Sequence, residues 1–132
     1  MTAGGVPPTP GVLILEDDTA LRETLVEALV DEGLDVRGAS NGAEALDVIA
    51  RGTWQPDLLI LDLMTPVMDA FEFRRHQLAR GLAREARVLV VSAMHDLDGA
   101  ATRIDADAWL AKPFGLSEVI QLVHRLIREP TT

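Results

Sequence analysis

The sequence contains no cysteine, which excludes a disulfide framework and a thiolate metal site. No basic region followed by an apolar stretch of signal-peptide length opens the chain, and the longest apolar runs are strand-sized, too short to span a membrane. Basic residues are scarce: twelve against twenty-one acidic ones, for a net charge of −9. No stretch gathers Lys and Arg into a stripe that would neutralise phosphates, so direct nucleic-acid binding is not expected. A glycine-rich phosphate loop of the form GxxxxGK[ST] is also missing. These absences leave a soluble protein of the cytoplasm, away from membranes.

The residues that are present fit one domain. At 132 residues the chain is long enough to bury about two-thirds of the surface its unfolded form would expose. Residues 1–11, "MTAGGVPPTPG", are rich in Pro, Gly and Thr and carry no periodicity, so they read as a flexible leader. The domain is expected over 12–128, with 129–132 as a C-terminal tail or linker. Short aliphatic runs recur at 12–15, 34–36, 58–61, 88–91 and 108–111, each too short for a core helix. Between them lie helical patterns. Leu21, Leu25 and Leu29 recur every fourth residue, with Gly33 at the C-cap; Ala43, Leu46, Ile49 and Ala50 mark a second helix closed by Gly52. Weaker stripes run from about Asp69 to Leu82 and from about Asp98 to Ile104, and Leu116, Val119, Val123, Leu126 and Ile127 form a strong last stripe. Five strands alternating with five helices, the strands apolar on both faces, predict an α/β fold: a doubly wound parallel sheet with helices on both sides.

Such a sheet places its ligand site beyond the carboxyl ends of its strands. Strand one exits into Glu16, Asp17 and Asp18, strand three into Asp62, strand four into Ser92 and strand five into Lys112 and Pro113. Carboxylates from strands one and three, a hydroxyl and an ammonium can therefore converge on one edge. Clustered carboxylates repel unless protonated or bridged by a cation, and an all-oxygen set with open positions suits Mg²⁺. An aspartate beside such a metal can act as a nucleophile toward phosphorus. Lys112 is the sole lysine beside eleven arginines, so a compact ammonium is favoured at that position.

The segments "VLILEDDTALRETL", "PDLLILDLMTPVMDAFEF", "VLVVSA" and "AWLAKPF", in that order, resemble the receiver domain of two-component response regulators over residues 12–128. The resemblance implies a flavodoxin-like (βα)5 fold with strand order 2-1-3-4-5. By position it implies that Asp62 is the phosphoacceptor and that Glu16, Asp17, Asp62 and the backbone carbonyl of Met64 surround Mg²⁺, for which Mn²⁺ can substitute. Ser92 matches the switch hydroxyl, Trp109 the switch aromatic and Lys112 the phosphoryl-contacting lysine, and the peptide bond before Pro113 is a candidate for cis. The implied partners are a histidine kinase or phosphotransfer protein as donor and a downstream protein or effector domain as reader, with a weak homodimer allowed. Catalysis would extend only to the chain's own phosphorylation and dephosphorylation.

Each residue also has an ordinary reading. Asp62 can cap a turn, the acidic run can N-cap the first helix, a role best suited to Asp18, and Trp109 can be core. His76, His95 and His124 lack ligand spacing and read as surface residues. Met64 and Met94 flank the site and can shield it from water. Departures from the family pattern lie outside the pocket: Ala70 and Asp105 stand where glycine is usual, which casts doubt on a left-handed backbone at Ala70. The stretch between Ser92 and Lys112 is short, and the shortfall falls in the fourth helix, so the usual family dimer through that face is not assumed. A receiver-shaped scaffold that signals without phosphate is the alternative reading. A phosphatase with its aspartyl nucleophile at the end of strand one fits Glu16 and Asp18 poorly.

Overall fold

In the computed structural model, residues 9–93, 95 and 97–128 are described. Five strands and five helices alternate: β1 (Gly11–Leu15), α1 (Thr19–Asp31), β2 (Asp35–Ala39), α2 (Gly42–Ala50), β3 (Leu58–Asp62), α3 (Ala70–Ala79), β4 (Arg87–Ser92), α4 (Leu97–Arg103), β5 (Ala108–Ala111) and α5 (Leu116–Arg128). The strands form one parallel sheet in the order β2-β1-β3-β4-β5.

Alternation along the strands divides the core in two. Leu13, Leu15, Leu59, Leu61, Val88 and Val90 face α2, α3 and α4. Val12, Ile14, Leu58, Ile60, Leu89 and Val91 face α1 and α5. With both faces covered, β1 and β3 are buried at every position, whereas the edge strand β2 is buried only at Ala39. The low apolar content of Asp35–Ala39 is why its sequence signal is short.

Helix starts follow ordinary capping chemistry. Asp18 accepts from Leu21 N at 3.1 Å, Asn41 from Glu44 N at 3.0 Å and Asp69 from Glu72 N at 2.9 Å. The Glu44 carboxylate in turn accepts from the N–H of Ser40, the residue before the cap. Several boundaries differ from the sequence expectation. Gly11 belongs to β1 rather than to the leader: its N–H donates to Asp57 Oδ2, and a Cβ there would lie 3.0 Å from Trp54 Cζ2, so a side chain would have to displace the indole by a few tenths of an ångström. Helix α3 ends at Ala79, three residues before Leu82, because Gly81 at φ +66 turns the chain back. Residues 1–8 of the expected leader, Met94 and the tail at 129–132 lie outside the described residues.

No helix among the described residues is long and apolar enough to cross a membrane.

Candidate functional site

The carboxyl edge of the sheet collects the residues that the strand exits bring there. Glu16 follows β1 and Asp62 ends β3; both are buried, at 1% and 4% exposure, while Asp17 is exposed. One carboxylate oxygen from each of the three lies within 4.8 Å of the others. Three anionic oxygens at that spacing form a hard donor set, which fits a small divalent cation such as Mg²⁺ and gives a soft metal no sulfur or nitrogen ligand.

Lys112 crosses the cluster. Its Nζ donates to Glu16 Oε1 at 2.8 Å and to Asp62 Oδ2 at 2.9 Å. Burial alone lowers the Lys112 pKa, but the hydrogen bonds and charges of Asp62 and Glu16 outweigh it, and the ammonium holds its proton more tightly than usual. Burial pushes the Glu16 carboxyl up, against the lowering effects of the Lys112 and Asp18 hydrogen bonds. Lys112 is followed by a cis peptide bond to Pro113, and its own N–H donates to Ser92 O at 2.9 Å.

The surrounding backbone fixes the carboxylates. Asp62 Oδ1 accepts from Met64 N at 3.1 Å, and Glu16 Oε2 accepts from Asp18 N at 3.1 Å. Arg22, one turn into α1, donates to Glu16 O at 2.7 Å. The loop after Asp62 is tied down by Thr65, whose hydroxyl donates to Met68 O, and by Gly42 N, which donates to the same carbonyl at 2.8 Å. A Cβ on Gly42 would meet Met68 O at 2.7 Å, so the close approach of α2 to this loop requires glycine. Sequence reasoning misses Arg22, Thr65 and Gly42, because their roles depend on which elements meet. Only Gly42, placed directly after an N-capping Asn, carries a local hint.

The other predicted residues are distributed around this centre. Ser92 is fully buried at the end of β4, one position beyond Val91, the register partner of Asp62. Trp109 lies on β5 opposite Val90 and is 45% exposed, so it is not a core residue. The Met64 side chain is 63% exposed. The left-handed residue in the β3–α3 loop is Val67, at φ 68, while Ala70 opens α3 behind its Asp69 cap. Asp105 does take the left-handed conformation, at φ 59. His95 is exposed, His76 lies near Glu72, and His124 Nε2 lies 2.7 Å from Glu32 Oε1 across α5 and α1.

A family model described as "Response regulator receiver domain" matches residues 12–124. The chain belongs to this family. Response regulator MprA of Mycobacterium tuberculosis is 37% identical to it over 119 residues, which cover 89% of this chain and 50% of that protein. The receiver domain described here thus spans about half the length of the curated relatives it matches. Among solved structures, a putative response regulator from Chloroflexus aurantiacus superposes with a TM-score of 0.80 at 29% identity, over 92% of this chain and all of that one. Chemotaxis protein CheY4 of Vibrio cholerae superposes with a TM-score of 0.81 at 25% identity, over 90% and 99%. These neighbours share the flavodoxin-like arrangement.

Proposed function

We propose that this receiver domain is a phosphorylation-dependent switch in which Asp62 accepts a phosphoryl group from a histidine kinase, a phosphotransfer protein or a small phosphodonor. The observation that carries the reading is the double contact of Lys112 with Asp62 and Glu16 beside a third carboxylate, Asp17. An ammonium and a cation-ready cluster around one buried carboxylate supply the charge that an incoming phosphoryl group needs.

In this reading an Asp62 carboxylate oxygen attacks phosphorus, an acyl phosphate O–P bond forms, and the P–N bond of a phosphohistidine or the P–O bond of acetyl phosphate breaks. Acetate leaves as its carboxylate anion, and the imidazole of a phosphohistidine leaves neutral, protonated on its ring by solvent. Mg²⁺, or Mn²⁺ in its place, would be held by Glu16, Asp17, Asp62 and the Met64 carbonyl and would neutralise phosphoryl charge when bound. Lys112 then releases at least one carboxylate and turns its ammonium to a phosphoryl oxygen. Ser92, at the neighbouring strand end, offers a hydroxyl to another. The change passes to α4, β5 and α5, where exposed Trp109 lies, and is read there by a downstream protein or effector domain in the cytoplasm. The chain turns over no other substrate in this account.

Incubation with acetyl phosphate and Mg²⁺, followed by intact mass measurement, tests the reading. It predicts one phosphoryl adduct on the wild type that requires the metal and is lost in Asp62→Asn. No adduct on a protein shown to bind Mg²⁺ would favour a phosphate-independent scaffold instead.

A further inference from the structure

The arginines of this receiver domain are unevenly spread. Arg74, Arg75, Arg80, Arg84 and Arg87 fall within one short stretch running from α3 to the start of β4, and the fold brings Arg103, the last residue of α4, beside the first two. Phe71, Arg75 and Leu78 stand at positions i, i+4 and i+7 of α3 and line one wall of a groove of about 270 Å³, whose other wall is Arg103, Ile104 and Asp105.

Apolar and basic side chains line the groove together. Leu78 is 49% exposed, and Phe71 is half-buried with the Arg103 guanidinium stacked 4.5 Å from its ring centroid. Arg74 is consumed by the fold: its guanidinium donates to Ile104 O at 3.0 Å and to Gln77 Oε1 at 2.7 Å. Arg75 and Arg103 are different. Both are exposed, and among the described residues neither makes an ion pair or donates a side-chain hydrogen bond. Asp105 is the one carboxylate that lines the groove. In a chain with twenty-one acidic residues, two guanidiniums that flank an exposed leucine meet no carboxylate of the fold among the described residues, and the one partner of Arg103 there is the face of the Phe71 ring.

We propose that the α3–α4 groove is a docking surface for an acidic amphipathic segment of a partner protein. An apolar side chain of that segment seats between Phe71 and Leu78, while its carboxylates pair with Arg75 and Arg103. Guanidinium edges left free above an aromatic ring are well placed for bidentate pairing with carboxylates. Other polyanions fit less well. A nucleic acid would bring a continuous phosphate backbone against a chain of net charge −9, with two free cations in the groove to meet it. A second copy offers the exposed Glu23, Glu27 and Asp31 of α1, but these lie across the sheet from α3, so the contact would not close, and the two chains repel.

The test uses a labelled synthetic helix with Leu and Glu at i, i+3 and i+4 spacing, and its Gln-for-Glu counterpart, titrated against the protein by fluorescence anisotropy. Amide shifts of the ¹⁵N-labelled protein locate the contact. The proposal expects the Glu peptide to bind in a salt-sensitive way, the Gln peptide about tenfold more weakly, and Arg75→Glu to lose about tenfold with an unchanged unfolding midpoint. Arg103→Glu provides the second variant, and shifts should centre on α3 and the end of α4. No binding, undiminished binding to both variants, or shifts centred on β5 and α5 would overturn it. So would an oligonucleotide that binds through Arg75 as tightly as the Glu peptide, or self-association in sedimentation that Arg75→Glu abolishes.

Discussion

Lys112 Nζ lies 2.9 Å from Asp62 Oδ2, although the two residues are fifty positions apart in the chain. The contact exists because β3 and β5 both flank β4 and end at the same edge. The same ammonium reaches Glu16, so one cation offsets two buried carboxylates.

Replacing that cation should therefore expose their repulsion. Lys112→Met leaves Glu16 and Asp62 facing each other with Asp17 nearby, and we expect a loss of about 1–3 kcal/mol in urea unfolding. Mg²⁺ should restore part of it and bind the variant at least as tightly as the wild type, since lysine and metal compete for the same oxygens. Equal stability of the two proteins without metal would contradict the role given to Lys112.

Gln77 is fully buried and ties α3 to the loop that follows it: it accepts from Arg74 and donates to Leu82 O at 2.7 Å and Ala83 O at 3.2 Å. Gln77→Leu preserves volume but strands a guanidinium N–H and two carbonyls. The expected cost is about 2–4 kcal/mol, from roughly 1–3 kcal/mol for each poorly satisfied buried group with some relaxation to water. A change below about 0.5 kcal/mol would show that the network contributes little.

Val67 holds a left-handed φ of 68° with its side chain 83% exposed. A β-branched residue is strained there and gains no packing in return. Val67→Gly should raise stability by about 1 kcal/mol, the relief of strain exceeding the entropy that glycine adds to the unfolded chain. Asp105→Gly should change it by less, because Asp tolerates this conformation. Chemical denaturation of both variants checks the order.

Helix α4 has seven residues and α5 has thirteen. Two turns with Leu97, Ala100 and Ala101 as buried contacts give α4 little independent stability. Its amides should exchange faster than those of α5, and faster still in Arg74→Met, which removes the Nε–H bond to Ile104 O. Matching protection of the two helices would count against a loosely held α4.

Most of the sheet was legible because both-face burial writes unbroken aliphatic runs such as Leu58–Leu61. The candidate site was legible at the ends of those runs, where a carboxylate, a hydroxyl or a unique lysine is conspicuous after the aliphatic residues. The features that stayed hidden depend on tertiary contact. Asp35–Ala39 is an exposed edge that shows only the short run at 34–36, so its extent rather than its presence stayed hidden. Arg74 and Gln77 look like the solvated face of a helix, yet pack inward to cap the carbonyls of the loops beside α3. Left-handed backbone in the β3–α3 loop falls on Val67, a residue type that gives no sign of it, and the exposure of Trp109 follows from the edge position of β5 rather than from its own sequence.

The central claim is that Asp62, rather than Glu16, Asp17 or Asp18, carries the phosphoryl group. Treating the acetyl phosphate-modified protein with borohydride converts an acyl phosphate into the corresponding alcohol, and peptide sequencing by mass spectrometry then reads which position changed. The account predicts homoserine at position 62 and unmodified acidic residues at 16–18. Reduction at any of those three with Asp62 intact would contradict it.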